Sequence, residues 1–159
     1  MMAVRPRQGA RVIVRDRDGL LLLFEGVDPT TPGVRFWFTP GGGLDGGETF
    51  EEAAARELRE EAGYELRALG AVVHEDEVEF DFEGVRYRQR QRFFAVAVPV
   101  AGPITPLDRG GWTDVERRSI TRYRWWSLEE LEATSESVYP PDLAGVVRSV
   151  TEWGSADPA

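Results

Sequence analysis

The chain has 159 residues, 42% of them hydrophobic and 30% charged, which suits one compact soluble domain built on a single core. Nineteen basic residues, all arginine, face twenty-eight acidic ones, and the net charge of -9 disfavours general nucleic-acid or anionic-membrane binding, since phosphate surfaces need a positive field. The absence of cysteine excludes disulfides, thiolate zinc sites and cysteine nucleophiles, and the absence of lysine excludes a Schiff base.

Residues 1–15 carry scattered charge and no apolar leader, and no apolar stretch approaches a membrane span, so a cytoplasmic protein is expected. Residues 11–15 (RVIVR) and 20–25 read as strands around an Asp16-Arg17-Asp18-Gly19 turn, and 34–38 as a third strand stopped by Thr39-Pro40. Five of the seventeen glycines fall in 41–47, a density that reads as a loop. A helix follows, with Thr49 and Glu52 as a capping box and Gly63 as its left-handed stop. Residues 69–73 read as a strand. Residues 75–82 and 85–93 alternate strictly about Glu83-Gly84, a hairpin. Residues 102–116 form an acidic loop, 121–126 a further strand, and Ser127 opens a short helix with Glu130 closing its capping box. A last helix is expected over 141–153, and the final few residues are expected to be disordered. Strands around one central helix, with helices at the end, predict an α/β fold in which a mixed sheet is covered by helices.

On a wheel of about 100° per residue, Glu57, Glu60 and Glu61 share a side with Phe50 and Ala53, while Arg59 and Glu52 fall where solvent should be. Three carboxylates at the edge of a core repel one another unless a cation or proton intervenes. The spacing leaves two readings open: a shared hard cation such as Mg²⁺ or Mn²⁺, or a solvated, salt-bridged face.

Residues 42–64, GGLDGGETFEEAAARELREEAGY, resemble the Nudix box, G-x5-E-x7-R-E-U-x-E-E-x-G-U, where U is a bulky aliphatic. Gly42, Glu48, Arg56, Glu57, Leu58, Glu60, Glu61 and Gly63 fall on its positions, and only Tyr64 departs, in the last aliphatic slot. The resemblance implies a Nudix-like α/β/α sandwich with a central mixed sheet, residues 1–159 forming one domain and 42–64 its catalytic loop–helix–loop. It implies Glu57, Glu60 and Glu61 as catalytic residues and ligands of Mg²⁺ or Mn²⁺, helped by Glu48 and a backbone carbonyl at Gly41 or Gly42. Arg56 is implied as structural, pairing with Glu48. The implied reaction is hydrolysis of a nucleoside diphosphate linked to another moiety. A helix glutamate is favoured as general base, with Glu116 of the acidic loop as rival and Asp108 and Asp114 behind it.

Family members selective for ADP-ribose tend to carry a proline about fifteen residues past the box, where Glu79 and Phe80 stand here. The tyrosine of many dinucleoside-polyphosphate hydrolases is missing from the same segment. The expected substrate is therefore a nucleoside triphosphate, cleaved to monophosphate and pyrophosphate. ADP-ribose, dinucleoside polyphosphates and nucleotide sugars are the alternatives. A non-catalytic nucleotide-sensing domain is a second alternative, opposed by a box that keeps every carboxylate.

Arg86, Arg88, Arg90 and Arg92 line one face of the hairpin and resemble a phosphate comb. The turn, however, sets them opposite Asp81, Glu79, Glu77 and Glu75, a neutral cross-strand ladder. Arg88 and Arg90 remain substrate-binding candidates, as does Tyr139 beside Pro140-Pro141. Phe80, Phe82 and Tyr87 on the other face read as core or as the contact of a homodimer, and His74 as a bland strand histidine. Residues 45–61 hold seven acids and two arginines, more than half of the chain's acidic excess.

Overall fold

Apolar runs without polar alternation need cover on both faces, and three such runs meet in the centre of this molecule. The computed structural model describes residues 3–27, 33, 35–82, 84–100 and 120–159. Its first strands are β1 (Val4–Arg15), β2 (Leu21–Val27), β3 (Arg35–Phe38), β4 (Gly41–Gly43) and β5 (Tyr64–Ala68). The later ones are β6 (His74–Phe82), β7 (Val85–Ala97), β8 (Ile120–Trp126), β9 (Ser137–Tyr139) and β10 (Gly154–Pro158). Helix α1 (Phe50–Glu57) runs into a π-helical turn, Leu58–Ala62, and α2 (Leu128–Ala133) and α3 (Leu143–Ser149) come late.

Among the described residues the strands form one mixed sheet ordered β5-β10-β7-β1-β2-β3-β9, with β4 added to β1, β6 to β7 and β8 to β2. Alternate side chains of the central strands serve two cores. Val12, Val14, Leu22, Phe24, Phe94 and Val96 pack with Ala53, Ala54 and Leu58 of the α1 segment. Ile13, Leu21, Leu23, Phe93 and Ala95 pack with Leu143, Val146 and Val147 of α3. This is the expected α/β/α sandwich. No helix among the described residues is long and apolar enough to cross a membrane.

Both capping boxes form as expected: Thr49 accepts from the Glu52 amide at 3.0 Å, and Ser127 from the Glu130 amide at 3.1 Å. Gly63 ends the helical segment at φ 74°. The hairpin register is also as expected, Asp81 facing Arg86, Glu79 Arg88, Glu77 Arg90 and Glu75 Arg92.

Elements whose partners are remote in sequence differ from expectation. β1 begins at Val4 because β7 runs parallel to its whole length, from Val4↔Arg86 to Arg15↔Ala97. The glycines at 41–43 are not loop but strand β4, paired with residues 9–11 of β1. The strand expected at 69–73 lies at Tyr64–Ala68 instead, where it finds β10 as partner. The last helix is shorter than expected, its C-cap Val150 already extended at ψ 120°, so that the chain is free to return to the sheet. The terminal residues, expected to be disordered, are that returning strand: β10 sits between β5 and β7 and buries Ala156 completely. The acidic loop at 102–116, with Asp108, Asp114 and Glu116, lies outside the described residues.

Because β10 closes the core over α1, Ala156→Asp places a charge where there is neither water nor partner. It is expected to cost about 3 kcal/mol or more, read as a lowered urea midpoint. An unchanged midpoint would show that β10 contributes nothing to the fold.

Candidate active site

The site is built where α1 meets the free edge of β4. Thr49 starts the helix, Ala53, Ala54 and Leu58 bury its inner face, and Arg56, Glu57, Glu60 and Glu61 are thereby delivered beside the glycine strand. Glu57 and Glu61 are buried, at 7% and 4% exposure, and Glu60 is half-buried, whereas Arg59 and Glu52 are exposed as the wheel required.

Arg56 is the hub. Its Nε and Nη2 grip the Glu48 carboxylate at 2.7 and 3.0 Å, the forked geometry that suits a guanidinium. Nη1 donates to Glu57 at 3.0 Å and to Glu60 at 3.2 Å, and Nη2 also donates to the Gly43 carbonyl at 3.1 Å. All the N–H donors of the guanidinium are thus used. The Glu48 pairing raises the Arg56 pKa and holds the Glu48 carboxyl below its usual range, with the Asp45 amide as a further donor to Glu48 at 2.8 Å.

Glu61 takes a different partner: its Oε2 accepts from the Gly41 amide at 3.2 Å. The three helix carboxylates therefore do not converge on one point. Among the described residues no three acidic or histidine side chains stand close enough together to hold an ion. The π-helical turn accounts for part of this, since i→i+5 bonding packs more residues into each turn than the wheel assumed. The remainder is electrostatic. Carboxylates in excess gather on the cation available to them, and Glu48, Glu57 and Glu60 gather on Arg56.

β4 owes its glycines to close neighbours. A Cβ on Gly42 would stand 2.8 Å from Glu57 Oε1, and one on Gly41, at φ 141°, would overlap the Ala10 carbonyl. Arg11 was missed in the sequence. Its Nη1 donates to the Gly41 carbonyl at 2.9 Å and to that of Thr39 at 3.3 Å, and its Nε to Gln91 at 3.0 Å. Burial lowers its pKa, while the charges of Glu61 and Glu57 act the other way. Gln91 also accepts from Gln89 at 2.8 Å and donates to Asp76 at 2.9 Å. A readable signal existed: an arginine heading the apolar run RVIVR, and glutamines alternating with the arginine comb.

The other candidates are dispersed. Arg88 is committed to Glu79 at 2.8 Å and Glu77 at 3.2 Å, a diagonal reach that leaves Arg90 without a carboxylate among the described residues. Tyr139, 48% exposed, stands edge-on to Phe36 at 6.0 Å. His74 lies 3.6 Å from Asp76 and against Phe93, consistent with a strand histidine.

The sequence profile of the NUDIX domain matches residues 5–148. The chain belongs to the Nudix hydrolase family. Over 137 residues this Nudix hydrolase is 35% identical to the RNA pyrophosphohydrolase of Erythrobacter litoralis (strain HTCC2594), covering 80% of each chain. A Bacillus subtilis (strain 168) protein named as a candidate 8-oxo-dGTP diphosphatase is 47% identical over 66 residues, 42% of this chain and 40% of that one. The fold is like that of the MutT protein from Methanosarcina mazei Go1, with a TM-score of 0.63 at 18% identity over 96% of this chain and 100% of that one.

Two outcomes test the network in this Nudix hydrolase. Gly42→Ala must displace the Glu57 carboxylate, so hydrolysis should fall at least tenfold while the melting temperature moves by only a few degrees. A fully active Gly42→Ala protein would show that Glu57 need not stand where it does. The second concerns pH. The folded pKa of Glu48 is depressed, so its contribution is present above the usual glutamate value of 4.5 and lost as pH falls through the lower folded value. In chelator, the stability lost in Arg56→Met should therefore be greatest near neutral pH and shrink below pH 4.5, as followed by urea unfolding.

Proposed function

We propose that this chain is a divalent-cation-dependent pyrophosphohydrolase acting at a 5′-triphosphate, releasing pyrophosphate and leaving a 5′-monophosphate. The observation that carries the reading is the buried carboxylate edge. Glu48, Glu57, Glu60 and Glu61, with the exposed Asp45 beside them, gather there around Arg56 and Arg11, an acidic excess made of acceptor-only oxygens. Such a donor set fits a hard divalent cation, Mg²⁺ or Mn²⁺. Glu57, Glu60 and Glu61, which stand apart on Arg56 and the Gly41 amide, would have to turn onto the ion to hold it, with Glu48 and the Gly42 carbonyl assisting. When bound, such an ion supplies charge neutralisation for the phosphate oxygens and a lowered pKa for the attacking water.

The chain's own groups do the rest. A helix glutamate takes the water's proton, and Glu60, the most exposed of the three, is best placed to meet solvent. Arg56 favours the ionised form of Glu48 and holds both Glu48 and Glu57 in place. Arg11 and Gly41 fix the backbone that frames the edge.

Free nucleoside triphosphate is the first substrate reading, supported by the relative named for 8-oxo-dGTP. The second reading is the triphosphorylated 5′ end of RNA, supported by the relative that matches across 80% of the chain. A net charge of -9 is compatible with binding an RNA terminus but not with tracking a long backbone. We further propose that residues 1–159 act as one domain in the cytoplasm, with Phe80 and Tyr87 as the face of any homodimer.

The test is a substrate panel with Mg²⁺: the common triphosphates, 8-oxo-dGTP, ADP-ribose, a dinucleoside tetraphosphate, a nucleotide sugar and a 5′-triphosphorylated RNA oligonucleotide. Products are resolved by ion exchange. Pyrophosphate and a monophosphate end are expected from one or both triphosphate classes, with Glu60→Gln and Glu61→Gln slowed about a hundredfold or more. No product from any triphosphate would refute the substrate reading, and full activity in both Gln variants would refute the carboxylate assignment.

A further inference from the structure

Arg7 stands apart from the other arginines around the box. It lies on β1, half-buried, with its guanidinium carbon 6.0 Å from the centre of the Phe80 ring and 5.5 Å from that of Tyr87. Those two rings are themselves stacked at 5.6 Å. The guanidinium also presses on Gly43, where any Cβ would overlap its nitrogens, so that glycine there makes room for it. Of the arginines nearby, Arg56 has Glu48, Arg88 has Glu79 and Arg92 has Glu75 as carboxylate partners. Arg11 is bonded to the Thr39 and Gly41 carbonyls and Gln91, and Arg90, without a carboxylate among the described residues, is exposed. Among the described residues Arg7 has no carboxylate partner.

That is a costly arrangement in a chain with a net charge of -9 and twenty-eight acids. A guanidinium partly withdrawn from water and held by rings rather than by a carboxylate has no opposite charge beside it and leaves donors open to a ligand. Its position gives the charge a use. Successive residues of β4 face opposite ways, Gly42 towards Glu57 and Gly43 towards Arg7. One thin glycine strand therefore separates Arg7 from the catalytic edge. Arg11, four residues further along β1, lies near enough for the two cations to repel one another, and the residue paired with Arg7 on β7 is Gln89. The face on this side of β4 thus presents positive charge and amides, with Asp76 tied to Gln91.

We infer that Arg7 is a phosphate-binding residue of this enzyme, gripping the substrate's phosphate chain from the face of β4 opposite Glu57. The inference rests on the 5′-triphosphate reading above. An arginine fork held by two rings is pre-organised for two phosphate oxygens, and a lysine at the same place keeps the charge without the fork.

The test compares wild type with Arg7→Gln and Arg7→Lys. Kinetics are measured on ATP and the triphosphorylated RNA with Mg²⁺, and binding of α,β-methylene-ATP and of inorganic tripolyphosphate is measured by calorimetry in chelator. For Arg7→Gln, KM should rise about tenfold or more with kcat within about twofold, and both probes should bind about tenfold more weakly. Arg7→Lys should recover part of the loss, and a merely structural arginine would lower the melting temperature without this split. Wild-type affinity for both probes in Arg7→Gln, with wild-type hydrolysis intact, would overturn the inference and leave the substrate reading standing. If no triphosphate is hydrolysed by wild type, the substrate reading fails, and tripolyphosphate binding alone decides Arg7. Should Arg7→Gln not fold, Arg7→Lys decides in its place: an unchanged KM and unchanged probe affinities would overturn the inference.

Discussion

Carboxylates packed at the edge of a core repel one another, and in this enzyme the guanidinium of Arg56 is what holds them together. It spans Glu48 before the helix and Glu57 and Glu60 within it, and it also ties the Gly43 carbonyl of β4. The loop, helix and strand of the site are therefore one electrostatic unit. Several of its members are withdrawn from water, so the pairing is screened less than a surface bridge. The same bonds that balance the acids also fix the geometry in which they are presented.

The glycines of β4 answer a steric constraint set by that unit. Gly41 must pass over the Ala10 carbonyl, Gly42 must leave room for the Glu57 carboxylate, and Gly43 must leave room for Arg7. A strand that is only backbone brings charged groups on its two faces close to one another. β4 is held in place by pairing with β1, and β1 in turn by its long parallel register with β7. The extended sheet is what keeps a three-residue strand accurate enough to serve a site.

What could be read in the sequence was what short spacing encodes. The box, both capping boxes, the left-handed Gly63 and the four facing pairs of the hairpin each depend on residues a few positions apart, and each is found where expected. What could not be read depends on remote partners. β10 looks like a polar tail until β5 and β7 are placed on either side of it, and the glycines of β4 look like a loop until β1 passes beside them. Arg11 belongs to the site through hydrogen bonds to Thr39 and Gly41, residues far along the chain, and its place at the head of RVIVR marks it without naming those partners. The helical wheel placed Glu57 and Glu61 on the buried side correctly. It could not foresee the π-helical turn that sends Glu61 to the Gly41 amide rather than to Arg56.

The distribution of charge then bears on how an acidic protein can bind an anionic substrate. On the hairpin, Arg86, Arg88 and Arg92 are spent on Asp81, Glu77, Glu79 and Glu75, so that face carries little net field. On the α1 side of β4 the acids outnumber Arg56, a field that repels phosphate and attracts cations. Across the strand, Arg7 and Arg11 reverse the sign within the thickness of one backbone. A phosphate chain lying along β4 would thus meet carboxylates suited to a hard cation on one side and guanidinium donors on the other. Overall charge predicts exclusion of polyanions, and under the proposed reading this local alternation would exempt a small polyphosphate from it.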